Sequence, residues 1–378
     1  LQVEHPVTEM VTGEDLVEWQ LRVAAGERLA LRQAEITRGG HAIEVRLCAE
    51  NPANNFLPET GRIAVLRAPR ACHPREGGDP AEENIRLDTG VREGDEVSVY
   101  YDPMIAKLVA WGADRPEAAR RMQEALAETE ILGVTTNLGF LERVVKHPAF
   151  LAGDTDTGFI ERHRADLLPE PGAAPAEALV AAAARAFLDE QAEIVALASS
   201  PWNDTTGWRL NAPALRRMEL QGTDGVVHTL EATMRAGRAQ VRIGMAAHEV
   251  VLGPREGDRL QIALDDETYF ARAARLGDLL SVTTPRGRFE FTLVDPFHYE
   301  PVDTLPDARL TALMPGRVVK VLAAAGEKVA KGQALMILEA MKMEHTITSP
   351  RDGVIERVAF RENDLVPADA VLVAFRGE

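Results

Sequence analysis

The sequence predicts a multidomain chain: an α+β domain first, then a helix with an antiparallel β-barrel, then a small all-β flattened barrel. Three observations carry that reading. Composition shifts sharply at residues 169 to 184, short alternating segments fill the stretch from Trp208 to about Pro296, and the C-terminal residues repeat themselves. The expected domains are residues 1–165, 166–300 and 308–378.

In the first domain, Gln2 to Glu9 reads as a polar strand end. Leu16 to Gly26 has helical spacing and stops at a glycine, Ala42 to Leu47 alternates like a strand, and Pro116 to Glu130 reads as a helix opened by proline. In the second, the tract from Pro169 to Ala184 reads as a linker feeding a helix that continues to about Ala198. Segments such as Val241-Arg242-Ile243 and Leu260 to Leu264 follow, with turns expected at residues 222–225 and 253–257. Pro301 to Asp307 reads as a second linker.

The last domain is a duplication. Gly316 matches Gly353, Val318 matches Ile355, Val321 matches Val358, Val329 matches Val366 and Leu335 matches Leu372, all at one offset of 37 residues. Two copies of one strand set, related by a pseudo-twofold axis, can close a flattened barrel whose junction is a hairpin tip at Met341-Lys342-Met343.

Composition narrows the function. With 42 Lys+Arg against 59 Asp+Glu the net charge is −17, which disfavours attraction to nucleic acid and to anionic membranes. No apolar run approaches the roughly 18 residues of a membrane span. Only Cys48 and Cys72 occur, without CxxC spacing, which predicts a reducing, cytoplasmic location and no metal centre. The chain opens Leu1-Gln2-Val3 without a Met or a basic leader, and so reads as the continuation of something longer.

Glu339-Ala340-Met341-Lys342-Met343-Glu344, preceded by Ala312 to Gly316, sits at the centre of the duplication. A swinging-arm carrier needs an amine on an exposed, rigid tip, and Lys342 has that place. The segment resembles the biotin carboxyl carrier domain over roughly residues 308 to 376, with Met341 and Met343 flanking the biotin-accepting lysine; lipoyl domains, similar in fold, usually place Asp-Lys-Ala there.

Gln2-Val3-Glu4-His5-Pro6-Val7-Thr8-Glu9 and Gly40 to Arg46 form a second signal. By composition alone they are a polar segment and an alternating strand that could share a structural ion pair. Together with Tyr101 to Lys107 and Thr135-Thr136-Asn137 they resemble the C-terminal part of a biotin carboxylase. The resemblance implies that Glu4 is the base toward bicarbonate, that Gln2 and the Val3 backbone hold bicarbonate, and that Arg46 faces biotin. The residue types suit the chemistry: a carboxylate can take the bicarbonate proton, and a permanently charged guanidinium can hold developing negative charge. His5 is read as structural.

The ATP-grasp part of that family is missing, so the chain alone is expected to be inactive with ATP. The segment from Arg70 to Pro80, with Cys72-His73, is given no function. Ser200-Pro201-Trp202 and Gly207 to Asn211 resemble the methylcrotonyl-CoA carboxylase α subunit, where a helix wrapped by a barrel docks the partner subunit; Trp202 and Trp208 read equally well as core aromatics.

The resemblance as a whole is to biotin-containing α subunits of acyl-CoA carboxylases. It implies covalent biotin on Lys342, and ATP, Mg2+ and bicarbonate in the full-length subunit. It further implies biotin protein ligase and a carboxyltransferase β subunit as partners in a hetero-oligomer, the acyl-CoA being bound through β. 3-Methylcrotonyl-CoA, in leucine degradation, is the expected substrate, with propionyl-, acetyl- or geranyl-CoA as alternatives. A noncatalytic carrier module and a lipoyl carrier are the rival classes.

Overall fold

The computed structural model describes residues 1–69, 84–169, 172–196, 215–235, 238–295, 309–312, 315–340, 343–367 and 370–376. Cys72-His73, Trp202, Trp208, the second linker, Met341 and Lys342 lie outside the described residues. Pro169–Pro301 forms one compact unit; Leu1–Leu168 and Val302–Glu378 fall in another.

The first residues are a helix where a strand end is expected. His5–Thr12 forms α1. The β-branched Val7, Thr8, Val11 and Thr12 suggest a strand, yet Pro6 in the first turn supplies a helical φ at a position where no amide is needed. Gly13, at φ 77°, closes the helix and its amide donates to the Glu9 carbonyl (2.8 Å). Helix α2 (Leu16–Ala24) is capped by the Asp15 carboxylate, which accepts from the Glu18 amide (2.9 Å).

Three strands make the antiparallel sheet of this domain in the order β1 (His41–Cys48), β3 (Met104–Gly112), β2 (Ile85–Thr89). Gly40, just before β1, sits at φ 69°, and a Cβ there would meet the Gly112 carbonyl at 2.5 Å. Alternation divides the sheet. Ile43, Val45, Leu47, Ile85, Leu108 and Ala110 face the apolar core, while Glu44, Arg46, Arg86, Asp88 and Lys107 occupy the other face. Helix α3 (Arg115–Glu128) covers the apolar side with Ala118, Ala119, Met122, Ala125 and Leu126, a helical stripe, and Pro116 lies in its first turn as expected. Helix α4 (Leu138–Lys146) follows.

The second domain is a helix and a closed barrel. Helix α5 runs Ala176–Ala196, so the Ala-rich half of the expected linker is helix. Eight antiparallel strands close in sequence order: β4 (Leu215–Gly222), β5 (Val227–Arg235), β6 (Arg238–Ile243), β7 (Ala246–Glu256), β8 (Arg259–Leu264), β9 (Glu267–Leu276), β10 (Leu279–Thr284) and β11 (Gly287–Leu293). Ala178 to Ala182 are all buried, so the first turns of α5 are covered on every side. They pack on Leu220, Leu230, Ile262, Leu280, Val282 and Phe291. Alanine is the residue that lets a helix approach so closely. Arg185 pins α5 to the barrel, donating to the Ala273 carbonyl (2.7 Å) and pairing with Asp189 (2.7 Å) and Asp258.

The turn expected at residues 222–225 is present, with Gly225 at φ 78°. The turn expected at 253–257 is displaced. Gly253 to Glu256 continue β7, whose register slips between Leu252 and Arg255, and the chain reverses only at Gly257. A bulge tolerates Pro254 because no ladder amide is required there.

The third domain realises the duplication. Its strands are β12 (Arg309–Thr311), β13 (Gly316–Val321), β14 (Lys328–Val329), β15 (Ala334–Ala340), β16 (Met343–Thr348), β17 (Gly353–Val358), β18 (Leu365–Val366) and β19 (Val371–Phe375). Two four-stranded sheets have the orders β12-β19-β17-β14 and β16-β15-β13-β18. Shifting by 37 residues exchanges one order for the other, as a pseudo-twofold axis demands. Matched pairs meet in one core: Val318 and Ile355 are both 0% exposed, and Val329 and Val366 both 2%.

Candidate active site and carrier domain

Glu4 and Arg46 come together. Arg46 stands on the polar face of β1, Glu4 is the N-cap of α1, which packs against that strand, and the two form an ion pair, each close to half exposed. Hydrogen bonding to its own backbone amide and to Arg46 holds the Glu4 carboxyl below the usual carboxylate range, against the opposing pull of desolvation. The Gln2 amide side chain also donates to it. Val3 lines the adjoining cavity together with Glu44, Arg46, Cys48, Asp102 and Asn137. His5 uses its ring locally, Nδ1 lying 2.9 Å from the Gln2 carbonyl and Nε2 4.0 Å from Glu9.

Arg46 is placed by its backbone. The Asn137 side-chain amide donates to the Arg46 carbonyl (3.0 Å), and its oxygen accepts from the Cys48 amide (3.0 Å). This one side chain occupies main-chain groups on both sides of Leu47 and so holds the end of β1 that carries Arg46. The Cys48 thiol is buried and pushed up to about 12, which makes it an inert packing group.

An ionic network extends behind the pair. Glu9, only 2% exposed, accepts from the Leu16 amide (2.8 Å) and from Arg86 (2.7 Å). Arg86 also grips Asp88 with two bonds of 2.7 Å, and Lys107 lies 3.4 Å from Asp88. Burial would raise the Asp88 carboxyl, but Arg86 and Lys107 hold it below its ordinary value. Sequence reasoning missed Arg86, Asp88 and Glu44. The alternation Ile85-Arg86-Leu87-Asp88 was the available signal, although only the strand order shows that it faces Lys107.

His147, His163 and Asp166 bring three ligand-type atoms within 4.8 Å of one another. The His147 Nδ1 accepts from the Ala149 amide (3.2 Å), and its Nε2 lies 3.6 Å from Asp166.

In the carrier domain, β15 and β16 pair through to Ala340 opposite Met343. Met341 and Lys342 are the two residues that connect them, in the middle of the duplicated sequence, which fits an acceptor at a hairpin end. The Met343 side chain lies outside the described residues.

Residues 44–162 match the family Biotin carboxylase C-terminal domain. Residues 175–296 match Methylcrotonyl-CoA carboxylase, alpha-subunit, BT domain, and residues 308–375 match Biotin-requiring enzyme. The chain carries the biotin carboxylase C-terminal, BT and biotinyl domains, in that order. The biotin carboxylase match begins inside β1, at Glu44, and a further match precedes it: residues 1–32 resemble the ATP binding domain of the carbamoyl-phosphate synthase L chain. The Glu4–Arg46 pair therefore bridges two family segments.

Among relatives, the mitochondrial methylcrotonoyl-CoA carboxylase subunit alpha of Mus musculus is 38% identical over 100% of this chain and 53% of that protein. The Dictyostelium discoideum subunit is 36% identical over 97% of this chain and 53% of that protein. The propionyl-CoA carboxylase alpha chain of Ruegeria pomeroyi is 34% identical over 99% of this chain and 57% of that protein. The chain thus spans about half the length of the curated relatives it matches. Among the described residues no helix is long and apolar enough to cross a membrane.

Proposed function

We propose that this chain is the carboxyl-transferring rear part of the α subunit of methylcrotonyl-CoA carboxylase, working with ATP, Mg2+ and bicarbonate. The single observation that carries the reading is the match along the whole chain to subunits of that name, with a BT domain of the same family between biotin carboxylase and biotinyl domains. Biotin on Lys342 supplies a nitrogen that carries a carboxyl group between two sites.

The residues divide the work. Gln2 and the Val3 backbone hold bicarbonate. Glu4 accepts its proton, which requires Arg46 to release the carboxylate, and the freed guanidinium then faces the negative charge that develops on the acceptor. Asn137 keeps Arg46 in register. α5 and the barrel dock a carboxyltransferase β subunit, which binds the acyl-CoA, and biotin protein ligase loads Lys342. The two cysteines suit a reducing compartment: cytoplasm is our reading for this chain, while the mouse relative is mitochondrial.

Propionyl-CoA is the second reading, favoured by the Ruegeria relative. The test combines this chain with the N-terminal half of a methylcrotonoyl-CoA carboxylase α subunit and a β subunit of each type, then follows labelled bicarbonate. Incorporation into methylcrotonyl-CoA supports the reading; incorporation into propionyl-CoA alone overturns the substrate, and none with either overturns the enzyme.

A further inference from the structure

The polar face of the β1-β3-β2 sheet gathers charges from every element around it. β1 contributes Glu44 and Arg46, β3 contributes Lys107, β2 contributes Arg86 and Asp88, and α1 with its N-cap contributes Glu4 and Glu9, with His5 4.0 Å from Glu9. Partners are shared out among them: Arg46 with Glu4, Arg86 with Glu9 and Asp88, Lys107 with Asp88. Glu44 is left over. Both its carboxylate oxygens are shut off from solvent and accept no hydrogen bond among the described residues. It lies two residues from Arg46 on the same strand face and lines the same cavity.

Three cations already face three other carboxylates, so an ionised Glu44 gives this face a surplus negative charge beside the anion site. We propose that Glu44 is a positioning residue for that site: neutral, it leaves Arg46 free to exchange Glu4 for an incoming anion; ionised, it holds Arg46 back and repels the anion. The inference rests on the reading of Glu4 and Arg46 as the bicarbonate site. Burial pushes the Glu44 carboxyl up to about 7, with Lys107 pulling the other way and Glu4 adding to the rise. Anion binding therefore weakens as pH rises through that range. By reciprocity, a bound anion raises the pH at which Glu44 ionises.

The test is a carbon-13 NMR titration of this chain with labelled glutamate carboxyls, in sealed samples with and without bicarbonate. The resonance missing from Glu44→Gln, or from Glu44→Asp if the first variant does not fold, identifies Glu44; the one missing from Glu4→Gln identifies Glu4. The expected result is a Glu44 midpoint near neutrality that bicarbonate moves up by about half a pH unit, the scale of a nearby unit charge screened by water. A midpoint at the ordinary carboxylate value overturns the inference. So does an unmoved Glu44 midpoint when bicarbonate shifts Glu4, in which case the site reading survives. If bicarbonate perturbs neither carboxyl, the site reading falls and takes the inference with it.

Discussion

Glu4 and Arg46 stand 42 residues apart in the sequence and meet as an ion pair at the edge of a cavity. Each partner blocks the other's role in the proposed chemistry: a base neutralised by a guanidinium is weak, and a guanidinium held by a carboxylate cannot face another anion. In the proposed chemistry the pair is thus a resting arrangement that substrate opens.

Because the pair is exposed, water screens it and it contributes little to folding. Glu4→Gln should leave the unfolding transition nearly unchanged while lowering bicarbonate-dependent turnover of the complemented subunit by about 10²–10⁴. Urea unfolding and a single-substrate rate assay read the two effects separately.

Asn137 has the opposite balance. Asn137→Ala strands the Cys48 amide and the Arg46 carbonyl, at about 1–3 kcal/mol for each buried group left unpaired. Hydrogen exchange should accelerate at the Cys48 end of β1 before other strands. Uniform acceleration across the sheet would contradict a local staple.

Glu44 links this domain's stability to pH. Its carboxyl moves from the ordinary 4.5 to about 7 in the fold, so folding favours the protonated form. The stability it contributes is fully present below pH 4.5 and lost as pH rises through about 7. Glu44→Gln should flatten that part of the melting profile, measured as the domain's Tm between those limits.

The duplicated carrier permits a paired comparison. Leu335 and Leu372 occupy matching positions and are 1% and 0% exposed. Leu335→Ala and Leu372→Ala should each cost about 2–5 kcal/mol and agree closely with one another, because each empties the same kind of hole. Unequal costs in urea unfolding would show that the two halves pack differently.

The sequence shows some of this well and some poorly. The 37-residue offset is visible because both copies must bury the same face, and strands β13 and β17 begin at the matched Gly316 and Gly353. Helix α3 is legible through Pro116 and its alanine stripe. Helix α1 is less legible, since its β-branched residues point to a strand, while Pro6 in the first turn, the Gly13 stop and packing against β1 decide for a helix. At the site, motif resemblance brings out Glu4 and Arg46, whereas Glu44 looks like any alternating polar residue until its neighbours on β2 and β3 are known. Pairing across strands is a long-range fact that one strand's pattern does not hold.

The central claim is that Lys342 carries biotin. A streptavidin blot with peptide mass spectrometry, on chain expressed beside a biotin ligase and compared with Lys342→Ala, tests it most directly. The account predicts a biotin-sized increment on the peptide containing Lys342 and no signal in the variant; an unmodified wild-type chain, or a lipoyl-sized increment on that lysine, would contradict it.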